Sequence, residues 1–211
     1  MDRSSTPASF LAEYDAVLAG WPVTVERIEL RSRYGTTRVN ACGPPGRPPL
    51  VLLSGGGAPS AVWYANIGEL SRAHRIYAID ALGDRGRSVY DGDPITGRAD
   101  LMAWLDSCLD GLGVPRADVC AHSYGGWIAL RYALHAPQRV ARLVLLDPTQ
   151  CFSGQRLTYR LHAIPLFGRL SANAHRLVPR ISTSVLPGAT HHTIPAGQPA
   201  ELNRHLTAFL A

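Results

Sequence analysis

Lysine is absent from the 211 residues, and all 21 basic side chains are arginine. Set against 16 acidic residues they leave a net charge of +5. The arginines are scattered, with no basic run and no interleaved aromatics. The excess therefore reads as a compositional preference, and no nucleic-acid partner is expected. No apolar run approaches the ~18 residues of a membrane span, so no membrane partner is expected either. Residues 1–7 lack a basic start leading into an apolar stretch, so no secretory leader is expected. The four cysteines (Cys42, Cys108, Cys120 and Cys151) are far apart and form no C-x-x-C pair. They read as reduced, structural thiols of a cytoplasmic protein. There is no H-E-x-x-H and no cysteine cluster, so no metal is expected. The last shortage is of acid: no aspartate or glutamate lies between Asp147 and Glu201.

What is present is an ordinary globular composition, 46% hydrophobic and 18% charged, in a chain long enough for one sizeable core. Residues 10–18 have helical spacing and stop at Gly20. Residues 23–30 alternate apolar and polar, turn at Tyr34-Gly35, and return over 36–41 as a hairpin. Residues 43–49 are glycine, proline and one arginine, hence a surface loop. Leu50-Val51-Leu52-Leu53 is a continuous apolar run, as in a strand buried on both faces. Three glycines follow it at 55–57, but no G-K-[ST] does, and the dinucleotide fingerprint is not met. A helix at 63–70, a strand at 74–80, a helix at 96–112 and a strand ending in Asp147 continue the alternation. The pattern predicts an α/β fold, a mostly parallel doubly wound sheet with helices on both faces.

The centre of the chain is Val119-Cys120-Ala121-His122-Ser123-Tyr124-Gly125-Gly126. A short buried strand precedes it and a helical pattern follows. A serine on so sharp a strand-to-helix turn has its hydroxyl lifted above the sheet edge, beside the unpaired N–H groups of a helix N-terminus. The turn needs small residues two before and two after the serine, and Ala121 and Gly125 fill those places. With Asp80-Ala81-Leu82-Gly83-Asp84-Arg85-Gly86-Arg87-Ser88, which is similar to the loop after the fourth strand in that family, this segment resembles the α/β-hydrolases, of the serine esterase and lipase kind. Asp80 and Asp84 are read as structural supports of that loop.

The resemblance covers residues 23–148 and, more loosely, 180–211. It implies Ser123 as nucleophile, and by position it implies the backbone N–H groups of Gly56 and Tyr124 as an oxyanion hole. Pro187-Gly188-Ala189-Thr190-His191-His192 resembles the loop that carries the family's histidine, and counting from Pro187 selects His191 over His192. The order serine, acid, histidine then leaves Asp147 as the acid. Two roles for Asp147 stay open: holding the imidazole, or capping the strand end before Pro148. The usual cap and seventh strand are largely missing, so the chain reads as a single domain over 1–211 with a reduced cap at 149–179. Residues 201–210 are expected as the closing helix, with Leu202, Leu206, Phe209 and Leu210 facing inward, and residues 180–186 as the last strand. Sliding into the vacant place beside the sixth strand would carry His191 away from Ser123. The open edge could also pair with a second copy.

Two functions follow. One is a serine hydrolase that cleaves a small carboxylic ester, thioester or lactone through an acyl-enzyme, with no cofactor. The other is a shortened, non-catalytic protein of the same fold, a binding module or deletion product. The Ser123–His191 distance discriminates between them, because proton transfer needs hydrogen-bond reach of ~3 Å.

Overall fold

A computed structural model describes residues 7–149, 151, 182, 184, 186, 189–191, 193–194 and 196–211. Six strands form one sheet in the order β1-β2-β4-β3-β5-β6. β1 (Glu26–Ser32) and β2 (Gly35–Cys42) make the expected hairpin, and β2 runs antiparallel to β4 (Arg75–Ile79). The other pairings, β4 with β3 (Pro49–Leu53), β3 with β5 (Ala117–His122) and β5 with β6 (Val140–Leu146), are parallel. This is the mixed, mostly parallel sheet that the alternation implied.

The two sheet faces are covered by different helices. β3 shows how one apolar run serves both, because successive side chains point to opposite faces. Val51 and Leu53 pack with α3 (Arg98–Gly111) and α4 (Ser123–His135) through Trp104, Leu105, Ile128 and Tyr132. Leu50 and Leu52 pack with α1 (Ala8–Ala19), α2 (Tyr64–Leu70) and α5 (Pro199–Leu210) through Leu18, Ile67, Leu202 and Leu206.

Element ends moved by a few residues for local reasons. α3 begins at Arg98 rather than at residue 96: Gly97 is its extended N-cap, and Thr96 stands outside the helix, its N–H and hydroxyl both donating to Asp100 of the first turn at 3.0 and 2.8 Å. Phe209 was expected to face inward but is 45% exposed. The buried stripe of α5 is Leu202, Leu206 and Leu210, one residue in every turn, and Phe209 lies off it. Of the strand expected over 180–186, Ser182, Ser184 and Leu186 are not in a strand, and the rest lies outside the described residues. The cap expected over 149–179, apart from Thr149 and Cys151, also lies outside them. Among the described residues β6 has one strand neighbour, β5. Also among them, no helix is long and apolar enough to cross a membrane.

Candidate active site

Strand register builds the site. Ala121 pairs with Leu145 and His122 with Leu146, so Ser123 and Asp147 leave adjacent strands side by side at their carboxyl ends. Leu53 pairs with Ala121, which sets the loop after β3 on the other side of Ser123. Both flanking residues pay for their placement in backbone strain. Ser123 (φ 53°) and Asp147 (φ 42°) are the non-glycine residues with positive φ among those described. The small residue two after the serine is needed as expected. A Cβ on Gly125 would stand 2.4 Å from the Ser54 carbonyl oxygen, and one on Gly126 would stand 2.9 Å from the Pro148 ring. The Thr149 N–H donates to the Ser123 carbonyl at 3.3 Å, tying the chain after β6 to the turn.

His191 is brought to both groups. Its Nε2 lies 2.9 Å from the Ser123 hydroxyl, and its Nδ1 lies 2.7 Å from Asp147 Oδ2. An ionised carboxylate can only accept, so Nδ1 carries the proton and Nε2 is free to accept from the serine. The sideways displacement expected for His191 does not occur. Of the two roles left open for Asp147, the hydrogen bond to the imidazole is made. His192 lies outside the described residues. His122 adds a contact that no local pattern of residues signals: its Nε2 is 3.0 Å from the His191 carbonyl oxygen. A carbonyl also only accepts, so His122 donates from Nε2 and holds the backbone of the loop that presents His191.

The loop after β3 closes the other side. Asp84 accepts from the Gly57 N–H with both carboxylate oxygens, at 2.8 and 3.0 Å, and Ala58 N–H bonds Gly55 across the turn at 3.1 Å. A Cβ on Gly55 would sit 3.1 Å from Ser123 Cβ, and one on Gly56 would sit 3.6 Å from Tyr124 Cβ. The glycines therefore lie against the start of α4. Asp80 is buried and accepts from Ser60 N–H at 2.7 Å, Arg87 N–H at 2.8 Å and the Tyr14 hydroxyl at 2.9 Å, the structural role expected of it. Burial, and then the Asp80 charge, push the Tyr14 phenol up to about 12, so it stays a donor. Burial, and then Asp84, also raise the Tyr124 phenol.

Ser123, His191, Gly56 and Tyr124 open onto one cavity of about 760 Å³. Its other walls include Phe10, Glu13, Tyr14 and Val17 of α1, together with Trp127 and Ile194. The α1 residues were read from the sequence only as helix. Their spacing marks a shared face, but nothing in it says what that face meets. Among the described residues no group of three or more His, Cys, Asp or Glu could hold a metal ion.

Residues 48–169 match the model of the alpha/beta hydrolase fold. The chain belongs to the α/β-hydrolase fold family. The carboxylesterase YbfK of Bacillus subtilis is 35% identical over 166 residues, which are 79% of this chain and 56% of that protein. The crystal structure of naproxen esterase (carboxylesterase NP) from Bacillus subtilis is 33% identical with a TM-score of 0.67, covering 72% of this chain and 53% of that one. A solved structure from Thermoplasma acidophilum, 18% identical with a TM-score of 0.74, covers 89% of this chain and 98% of its own and shares the fold. The chain spans about half the length of the curated relatives it matches.

Proposed function

We propose that this α/β-hydrolase is a serine esterase that cleaves a small carboxylic ester, thioester or lactone through an acyl-enzyme. The observation that carries this reading is the unbroken hydrogen-bond chain Ser123–His191–Asp147, at 2.9 and 2.7 Å, opening onto a cavity. The rival reading, a non-catalytic protein, expected those groups apart. The carboxylesterases among the relatives favour the same chemistry.

In this mechanism Ser123 Oγ attacks the ester carbonyl carbon as its proton passes to His191 Nε2. Asp147 holds the imidazole by Nδ1–H and stabilises the imidazolium that forms. The backbone N–H groups of Gly56 and Tyr124 receive the oxyanion, which the positive end of α4 also favours. His191 returns the proton to the leaving alcohol or thiol. Water, deprotonated by His191, then attacks the acyl-serine carbonyl. The carboxylic acid departs and Ser123 recovers its proton.

The test is labelling of the purified protein with a small fluorophosphonate, beside Ser123→Ala. Labelling of the parent and none of the variant is expected. Labelling at another residue, or none of a folded protein, would overturn the assignment.

A further inference from the structure

The cavity over Ser123 has a wall that takes no part in the proposed chemistry. Phe10, Glu13, Tyr14 and Val17 of α1 all line it. Their spacing of three, four and seven residues puts them on one face of the helix. That face is held in place from behind. Leu18 is buried in the core beneath α1. The Tyr14 hydroxyl donates to Asp80 at 2.9 Å. Arg87 Nε donates to Asp15 at 2.9 Å, and the Arg85 guanidinium lies 5.6 Å from the Phe10 ring centre. The wall is therefore formed before any ligand arrives, so little ordering cost falls on binding.

On the same cavity, the rings of Tyr124 and Trp127 stack with centres 5.8 Å apart and planes within 9°. Val17, Tyr64 and Tyr124 are 41, 50 and 43% exposed. All three sit around this one cavity, which gives the opening an apolar rim of the kind that marks ligand sites. Among the described lining residues, Glu13 is the one Asp, Glu or Arg. Glu13 is exposed, so water screens its charge, and its discrimination between charged and neutral ligands is of the order of a few-fold per unit charge.

We propose that α1 is the specificity wall of this site. It takes a flat or branched apolar group of the ester against its own face and the Tyr124–Trp127 pair, and Glu13 favours neutral and cationic esters over anionic ones. The proposal rests on Ser123 being the nucleophile, and it adds the substrate class and the residues that select it.

The experiment uses the full chain and two matched sets of butanoate-length esters. In one set the acyl end carries trimethylammonium, tert-butyl or carboxylate. In the other the alcohol end carries the same three groups. The parent is expected to prefer cation over anion in kcat/KM in at least one set. Glu13→Gln is expected to lower that ratio about threefold, and Glu13→Arg about tenfold or more, into reversal. Val17→Trp, at an exposed helix position that tolerates a larger side chain, is expected to lower kcat/KM for the tert-butyl esters about tenfold, with thermal unfolding unchanged. A ratio that moves less than twofold in both sets with Glu13→Arg overturns the charge selection. Unaltered tert-butyl kinetics in Val17→Trp overturns the wall. A small fluorophosphonate needs none of this wall, so labelled parent protein with unmoved ratios means that this inference alone fails. An unlabelled parent means that the esterase reading beneath it fails.

Discussion

The two ends of the parallel sheet carry similar residues put to different use. At the carboxyl end, Asp147 follows β6, Ser123 follows β5, and His191 bridges them. At the amino end, Asp118 near the start of β5 is gripped by Arg142 of β6 through two bonds of 3.0 and 2.9 Å, with His74 Nε2 at 4.0 Å. Each end has a histidine beside an aspartate. The His191 and Asp147 side chains are 31 and 26% exposed at the edge of a cavity, whereas His74 and Asp118 are 5 and 4% exposed. The carboxyl end places positive φ on two non-glycine residues, Ser123 and Asp147, whereas around the amino end it falls on glycines, Gly43, Gly46 and Gly113. A histidine–aspartate pair becomes a candidate for chemistry when a nucleophile, an opening and a strained turn come with it. With a guanidinium and deep burial instead, it serves the fold.

Substitutions can break this contrast from its strong side. Asp147→Asn is expected to lower kcat for 4-nitrophenyl acetate about 10³- to 10⁴-fold, because the amide can favour the wrong imidazole tautomer. Its KM and its melting should stay near the parent values. Equal rates in the two proteins would return Asp147 to the role of a strand cap. Asp118→Asn should do the reverse. It leaves Arg142 with a weakened partner, and unfolding in urea should show a loss of about 2 kcal/mol, below the range for a fully buried pair because Arg142 is one-third exposed. Its kcat should change less than twofold, and a larger fall would mean that the two ends are coupled.

His122 sharpens the comparison, since it supports the carboxyl end through the His191 carbonyl and lies with its ring centre 5.2 Å from the His191 ring centre. His122→Ala is expected to cost about tenfold in kcat, and His122→Gln, whose amide N–H can still reach that carbonyl, to recover most of it. Equal losses in the two variants would make the role one of packing. The smallest effect belongs to neither end. Burial raises the thiols of Cys42 and Cys151 from 9.0 to about 11 and that of Cys108 to about 12. Above pH 9 the unfolded chain therefore releases protons that the folded one keeps. It binds fewer protons, and stability falls as pH rises. Urea unfolding at pH 8 and 9.5 should show a loss of about 1 kcal/mol or less per thiol. Flat stability across that range would mean that these thiols ionise within the fold.

Much of this could be read along the chain. Every strand of β1 to β6 and every helix of α1 to α5 was anticipated, because each shows in its own residues, as helical spacing, as alternation or, in the strands buried on both faces, as a short apolar run. Ser123 was legible for the same reason: strand, turn and helix are contiguous, and Ala121 and Gly125 lie within two positions of it. The reading weakened where contacts cross long separations. His191 and Asp147 are 44 residues apart, and a deletion between strand and histidine loop left two destinations for that loop. Phe209 was misplaced because an apolar residue in a helix does not say on which side the core lies. The face of α1 that lines the cavity was visible as a stripe, but what it would meet was not.

Local sequence by itself determined the α/β class, the serine on its strained turn and the shortage of acid that left Asp147 alone. Periodicity, turn sterics and composition act within a few residues. Tertiary structure decided that Asp147 meets the His191 imidazole, that His122 steadies the loop, and that α1 walls the cavity with Glu13. Those depend on strand register and on how distant segments dock, which no short stretch of this chain encodes.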